Sequence, residues 1–307
     1  GLMGNILTLY EDRPNDWDAW DVDLFYESVP METARVTAVA PLPRGPVRQG
    51  IRFSFTIGRS EIVQDVHLGS KGKRLDFDTT VAWREKHRML RVAFPVDVLT
   101  DQAAFDIQYG YVKRPTHRNT LWDIARFEVV GHRYADLSGH EFGAALLNDG
   151  KYGYKVIGNT LDLNLLRSPN YPDAEADQGD HRFTYSFLPH TGDLVRSDVI
   201  AQAAQLNQGL MVLDGVASGQ RRFPIRLTGD GVSLEAVKKA EKEPCLVLRL
   251  VESFGCHSAA RLETDWPKAH LVETDLLEWR EGPRHPLPLD IRMKPFEIRT
   301  YKLIGRP

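Results

Sequence analysis

The feature that most constrains this chain is a hydrophobic rhythm of period two that recurs along most of its length. Phe53, Phe55 and Ile57 alternate with polar or small residues, and so do Leu75, Phe77, Thr79, Val81 and Trp83. Leu90, Val92, Phe94, Val96 and Val98 form the longest run, with Arg91, Ala93, Pro95 and Asp97 between them. Phe105, Ile107, Tyr109 and Tyr111 repeat the pattern, as do Leu161, Leu163 and Leu165. Alternation of this kind turns one strand face to a core and the other to water or a second layer. Pro95 cannot donate to a ladder, which places its strand at an edge or at a bulge. Turn signals separate the runs at Gly69 to Gly72, Asp149-Gly150, Gly158-Asn159, Gly229 to Gly231 and Glu281-Gly282-Pro283. Helical pattern is scarce. Asp198 to Leu206, with Ser197 as N-cap, is one candidate; Leu234 to Glu241 is a second, short enough to be a strand instead. Many short strands with almost no helix predict an all-β fold of stacked antiparallel sheets.

The chain has 307 residues, enough for one large domain or two smaller ones at roughly 150 residues each. A boundary is expected between Asp193 and Phe223, where DGVASGQRR reads as a loop before alternation resumes. The division is set at 1–205 and 206–307, the second part reading as one small β-sandwich. A net charge of −3 excludes a dedicated nucleic-acid binder, which needs a basic excess. No apolar run reaches the roughly 18 residues of a membrane-spanning helix, and GLMGNILTLYEDRP lacks the pattern of a signal peptide. Two cysteines, Cys245 and Cys256, make neither a disulfide framework nor a Cys-rich zinc site and fit a reducing, cytoplasmic compartment.

Three segments concentrate chemistry. In DRPNDWDAWDVDLFYE, residues 12–27, Asp16, Asp18, Asp21 and Asp23 interleave with Trp17, Trp20, Phe25 and Tyr26. Carboxylates accept from sugar hydroxyls and indoles stack on sugar faces, so the pairing suits carbohydrate. A solvated acidic loop with its tryptophans pinned in the core accounts for it equally well. An EF-hand does not fit, because Trp20 stands at the third ligand position. The second segment, residues 109–153, carries His117, His132 and His140 among arginines; spacings of 15 and 8 do not make a zinc site. Its LLNDGKYG stretch reads as a hairpin turning at Asp149-Gly150. Ser138, His140 and Asp136 fall on one loop without a G-x-S-x-G context, which excludes a hydrolase triad. In the third segment, residues 161–193, Arg167 ends a strand where Ser168-Pro169 breaks the ladder. There it is placed to bond vicinal hydroxyls or an acid, or to stand exposed without a partner. No carboxylate stands where anything in the sequence would raise its pKa.

Together these segments resemble the C-terminal β-region of glycoside hydrolase family 38 α-mannosidases of the bacterial and cytosolic type. The carriers are LYEDRPNDWDAWDVDLFYE, RLDFDTTVAWREKHRMLRVAFPVDV, YGYVKRPTHRNTLWDIARFEVVGHRYADLS, FGAALLNDGKYGYKV and LNLLRSPNYPDAEADQGDHRFTYSFLPHTGD, with EPCLVLRLVESFG and PFEIRTYKL near the end. The resemblance covers essentially the whole chain. It implies a large antiparallel β-supersandwich, galactose-mutarotase-like and lacking its first strands, followed by a smaller β-sandwich. It implies a retaining, zinc-dependent exo-α-mannosidase whose zinc ligands and two catalytic aspartates lie on an N-terminal barrel. This chain would then be a C-terminal fragment. No cofactor is expected in the chain itself.

By the same resemblance Arg167 matches an arginine near substrate. Asp18, Trp20 and Asp21 match a W-D-x-W-D motif, and Arg114, His117 and Asn119 an R-P-T-H-x-N motif. Each contacts substrate, holds its loop or meets the barrel. The sequence departs from the family at Ala82, at Arg84 in Trp83-Arg84-Glu85-Lys86-His87, and at Gly139 and Glu141, whose exchange shifts where positive φ is allowed. The implied role is to line the substrate cleft beside the missing barrel, contacting α-mannoside glycans, with no nucleic acid or membrane partner. Retention needs two carboxyl groups about 5–5.5 Å apart, which the resemblance puts elsewhere, so the chain alone should hydrolyse nothing. A stand-alone carbohydrate-binding module and a structural or oligomerisation domain are the competing readings. A bare apolar face, left by the missing barrel and strands, would favour a homo-oligomer.

Overall fold

The computed structural model describes residues 3–211, 214–215 and 223–305. Gly1, and all of the DGVASGQRR loop except Asp214 and Gly215, lie outside the described residues. The chain divides into two compact units: residues 1–107 with 112–210, and residues 211–307 with the four-residue stretch 108–111.

The first unit is built from β1 (Ile6–Glu11), β2 (Pro30–Thr33), β3 (Arg35–Pro41), β4 (Arg48–Ile57), β5 (Ser60–Gly69), β6 (Leu75–Trp83) and β7 (Arg88–Pro95). It continues with β8 (Gln102–Ile107), β9 (Gly110–Pro115), helix α1 (Leu121–Ala125), β10 (Val129–Val130), β11 (Tyr134–Ser138), β12 (Phe142–Asn148), β13 (Gly153–Ile157), β14 (Thr160–Arg167), β15 (Gly179–Thr191) and helix α2 (Val199–Asn207). Six strands form one sheet in the order β10-β13-β14-β7-β1-β2; nine form another in the order β3-β4-β5-β6-β15-β12-β11-β8-β9. All pairings of the six-stranded sheet, and those from β3 through to β8 in the nine-stranded one, are antiparallel. Leu7 and Leu9 of β1, Leu90 and Val92 of β7, and Leu161 and Leu163 of β14 meet Val81 and Trp83 of β6 and Leu146 of β12 in one core. Each side chain so buried contributes about 1.5–3 kcal/mol, which is why the alternating positions fix the register. These are the stacked antiparallel sheets expected from the alternation, in the all-β arrangement that the resemblance implied.

The second unit holds β16 (Ile225–Thr228), β17 (Val232–Lys239), β18 (Leu246–Glu252), β19 (Ser258–Thr264), β20 (His270–Thr274), β21 (Glu281–Pro286), β22 (Leu289–Met293) and β23 (Ile298–Ile304). They form a three-stranded sheet, β16-β19-β22, and a five-stranded sheet, β17-β18-β23-β20-β21, around Leu248, Leu250, Leu262, Leu271, Ile291 and Tyr301.

Residues 234–241 take the strand alternative and fall mostly in β17, where a bulge between Leu234 and Ala236 mimics helical spacing. Several other local expectations are corrected. Glu281-Gly282-Pro283 opens the edge strand β21 instead of a turn; an edge tolerates the missing donor of a proline. The run Phe105 to Tyr111 is two strands, broken at Tyr109 with φ +58°. Pro95 is neither on an edge strand nor in a bulge. Strand β7 lies between β14 and β1, and Pro95 sits at its end, two residues past the last β1 pair, Ile6 with Ala93. The bulge is in β14, between Asn164 and Leu166.

LLNDGKYG is no hairpin: β12 and β13 belong to different sheets. Asn148 turns the chain between them by accepting from Gly150 N and Lys151 N at 2.8 and 2.6 Å. Asp136 and Ser138 lie on strand β11, not on a loop, and neither Gly139 nor Glu141 takes a positive φ. Helix α2 starts at Val199 with Asp198 in the cap position, while Ser197 Oγ accepts from Val199 N at 3.2 Å.

Candidate functional site

Arg167 is the last residue of β14, and the loop of residues 12–23 is folded around it. Its Nε donates to Asp12 Oδ2 at 2.6 Å, and its Nη2 donates to the carbonyls of Asp21 at 2.7 Å and Asp18 at 3.3 Å. Asp12 is buried, so the pair is a desolvated, charge-assisted bond of the strong kind. The Asp18 carboxylate reaches the other way. Its Oδ2 accepts from Asn170 N at 2.7 Å and Tyr171 N at 3.1 Å, and its Oδ1 lies 3.6 Å from His87 Nδ1. The backbone ties the same pieces together: Asp12 N donates to His87 O, and His87 N to Ser168 O. Of the residues singled out in the sequence, Arg167, Asp18, Trp20 and Asp21 are therefore brought together, joined by Asp12, His87, Asn170 and Tyr171.

The loop presents aromatic surface to solvent. Trp17 is 66% and Trp20 63% exposed, packed edge to face with ring centroids 6.2 Å apart. The alternative of tryptophans pinned in the core does not hold. Trp20 N and Asp21 N both donate to Trp17 O, and Trp17 has φ +55°; this tight turn lifts both indoles outward. Arg167 keeps Nη1 without a hydrogen bond among the described residues, beside a rim that also exposes Tyr171.

Arg114, His117 and Asn119 sit apart from this loop. The Arg114 guanidinium stacks over the Phe105 ring at 4.8 Å. His117 is 3.6 Å from Asp123 in the capping box of α1, and Asn119 is exposed. Their motif meets the loop through a residue not singled out: Arg118 donates two bonds of 2.7 Å to Glu27.

Glu27 leads into a buried charge cluster that anchors the far stem of the loop. Lys155 Nζ lies 3.2 Å from Glu27, donates to Tyr26 Oη at 3.0 Å and stands 3.9 Å from Asp162. Arg91, almost wholly buried, pairs with Asp162 at 2.6 Å and Glu128 at 2.8 Å, and Tyr26 Oη donates to Glu128. Burial opposes the Arg91 charge, but Asp162 and Glu128 outweigh it and hold the guanidinium charged. Burial opposes the Glu27 carboxylate too, and the Arg118 bond and Lys155 overcome this and hold it below its usual range. Burial pushes the Glu128 carboxyl up, so one carboxylate is raised, contrary to the sequence reading. Period two marks Arg91 as facing away from the core, yet the turn Leu24–Ser28 brings Tyr26 over that face, 5.4 Å from its guanidinium. Glu128 and Arg91 bond each other and Tyr26's neighbourhood, so the raised acid serves the stem of the loop. Among the described residues no three His, Cys, Asp or Glu side chains converge as a metal site.

The family model for the glycosyl hydrolases family 38 C-terminal domain matches residues 1–175, and that for the family's C-terminal beta sandwich domain matches residues 231–301. The chain belongs to glycoside hydrolase family 38 and comprises its C-terminal domains. Among curated proteins it is similar to alpha-mannosidase 2C1 of Mus musculus, 40% identical over 99% of this chain and 30% of that protein. Alpha-mannosidase G of Dictyostelium discoideum is 35% identical over 99% of this chain and 29% of the relative. The chain thus spans about a third of the length of the curated relatives it matches. A crystal structure of an alpha-mannosidase from Enterococcus faecalis V583 superposes with a TM-score of 0.80 at 18% identity, over 97% of this chain and 38% of that one; that likeness is one of fold.

Proposed function

We propose that this chain is the C-terminal β-region of a retaining, zinc-dependent α-mannosidase, and that it supports a preceding catalytic barrel and lines the cleft for terminal α-mannosides. The observation that carries the reading is the clamp of Arg167 on Asp12, Asp18 and Asp21, which holds two exposed indoles beside a free guanidinium nitrogen. Indole faces stack on sugar rings, and a guanidinium N–H bonds their hydroxyls. Arg167, Asp18, Trp20 and Asp21 belong to this rim. Arg114, His117 and Asn119 are assigned to support of the neighbouring segment or to the barrel interface. The described residues offer no convergent donor set for zinc, and the metal is assigned to the barrel. A retaining reaction needs an acid and a nucleophile about 5–5.5 Å apart across a sugar, and both are assigned to the barrel. The two free cysteines, Cys245 and Cys256, suit a reducing, cytoplasmic setting; among the described residues no helix is long and apolar enough to cross a membrane.

Turnover of an aryl α-mannoside tests the reading. The chain alone should show none, with or without zinc, whereas the chain expressed in continuity with its upstream coding sequence should be active. In that active protein Arg167→Ala should lower kcat/KM by about 100-fold through misplacement of the rim. Zinc-dependent turnover by the chain alone would overturn the assignment. The exposed indole pair also favours a second reading, a carbohydrate-binding module, which requires mannose binding that Trp20→Ala abolishes.

A further inference from the structure

We propose that the outer face of the nine-stranded sheet carries a carbohydrate-binding cleft that takes a neutral oligosaccharide. It uses no residue of the loop at 12–23 and goes beyond the reading above. The cleft has a volume of about 490 Å³ over β4, β5, β6 and β15, within the range of about 300–1,000 Å³ common to small-ligand sites.

Register puts its polar groups in rows across the strands. Arg52 faces Asp65, Asp65 faces Asp78, and Asp78 faces Thr184; one step along, Val63 faces Thr80 and Thr80 faces Arg182. Arg52 binds Asp65 through two bonds of 2.6 and 2.7 Å, which hold that carboxyl ionised, below its usual range. Asp78 accepts from Thr184 Oγ1 at 2.9 Å and stands 3.6 Å from His67 Nε2. The facing carboxylates of Asp65 and Asp78 thus stand between the Arg52 guanidinium and the His67 imidazole on the floor of the cleft.

The hollow itself has a backbone cause. Gly50 faces His67, and a Cβ at Gly50 would come within 2.7 Å of His67 Nδ1. The bare strand lets the imidazole lie down into the floor, where Nδ1 is buried and unpartnered. Arg48 and Arg182 both line the cleft; Arg48 acts on Asp65 through space, and neither arginine forms a close ion pair among the described residues. Donors on these arginines and acceptors on Asp78 and Thr80 thus alternate around one concavity. Sugar hydroxyls both donate and accept, and so match this arrangement. A strongly charged ligand does not, since the arginines and aspartates face one another across the floor.

The test is titration of the purified chain with α-linked mannobiose and maltose, followed by backbone amide shifts. We expect saturable binding with shifts on β5, β6 and β15. Arg182→Ala and Asp78→Asn should each weaken it by about fivefold or more, the value of one lost hydrogen bond, and Trp20→Ala should leave it unchanged. Asp78→Asn keeps the shape of the side chain and the Thr184 bond, so an amide spectrum unchanged away from β6 separates lost binding from lost folding. The proposal falls if neither sugar saturates, or if binding is lost with Trp20→Ala and kept with Arg182→Ala, which would leave the loop reading standing. It falls also if mannose 6-phosphate binds while neutral sugars do not.

Discussion

Glu252 is fully buried, yet its carboxylate accepts from the amides of Phe254, Gly255, Cys256 and Phe296 and from Ser258 Oγ. One side chain thereby satisfies the turn after β18 and the start of β23. Glu252→Ala leaves those donors without a partner and is expected to cost the second unit about 3 kcal/mol, read as a lower urea midpoint; an unchanged midpoint would refute the role. His190 carries the other single-residue prediction. Its Nε2 lies 2.7 Å from Asp136 Oδ2, and Ser138 Oγ donates to the other oxygen at 2.7 Å. The serine bonds the acid and not the imidazole, so the trio braces strands β11 and β15 and has no nucleophile geometry. Burial would lower the His190 pKa, but the Asp136 bond outweighs it and the net shift is upward. A raised histidine stabilises the fold fully below its unfolded value of about 6.5, and that contribution disappears as pH rises through the folded value. Urea melts of the parent and His190→Gln should therefore differ most at acid pH and converge at alkaline pH; a constant gap would sink the assignment.

At the scale of elements, the loop at 12–23 is held at both stems by ion pairs, Asp12 with Arg167 and Glu27 with Arg118. Breaking the first stem with Asp12→Ala leaves the partly exposed Arg167 with only its carbonyl partners and is expected to cost about 1.5–3 kcal/mol, the value of a hydrogen bond to a charged group. Amide exchange in residues 13–23 should speed up while that of β14 holds. If the loop stays protected, Asp12 is not its anchor. The strands of this molecule were legible because Leu90, Val92 and Phe94, or Phe77, Val81 and Trp83, must share one buried face, and period two records that directly. Arg167 at a strand end and the W-D-x-W-D loop were legible for a similar reason, since a ladder stop and an acidic–aromatic stretch are local features. The stems were not. Arg91 sits on the polar side of its strand, and nothing in the spacing says that Tyr26, 65 residues earlier, lies over it. Pairings such as Tyr26 with Glu128 or Arg118 with Glu27 are products of topology, which a single sequence does not encode locally. The same limit explains LLNDGKYG: Asp149-Gly150 marks a turn, but not whether the turn returns to its own sheet.

On the scale of the whole first unit, the two sheets are unequal, six strands against nine. The core-facing side of the longer sheet continues outward along β4 and the edge strand β3. There Val36 stands opposite Phe55, Val39 opposite Phe53 and Ile51 opposite Val66, and Val36, Val39 and Ile51 are exposed. A face that alternates as if for a core but ends in solvent is suited to association, and among the described residues β3 leaves an edge beside it. The chain studied by itself is therefore expected to self-associate through β3 and β4. Light scattering should give a mass above 34.8 kDa that rises with concentration. Val39→Lys with Ile51→Lys should return it to the monomer without lowering the urea midpoint, since neither side chain is in the buried core. In the active protein with its upstream region, the same two substitutions should weaken activity if that region covers this face, and leave it unchanged if a second copy does. A chain that stays monomeric at every concentration would show that the alternation on β3 and β4 serves neither contact, and that the exposed valines cost the free chain nothing.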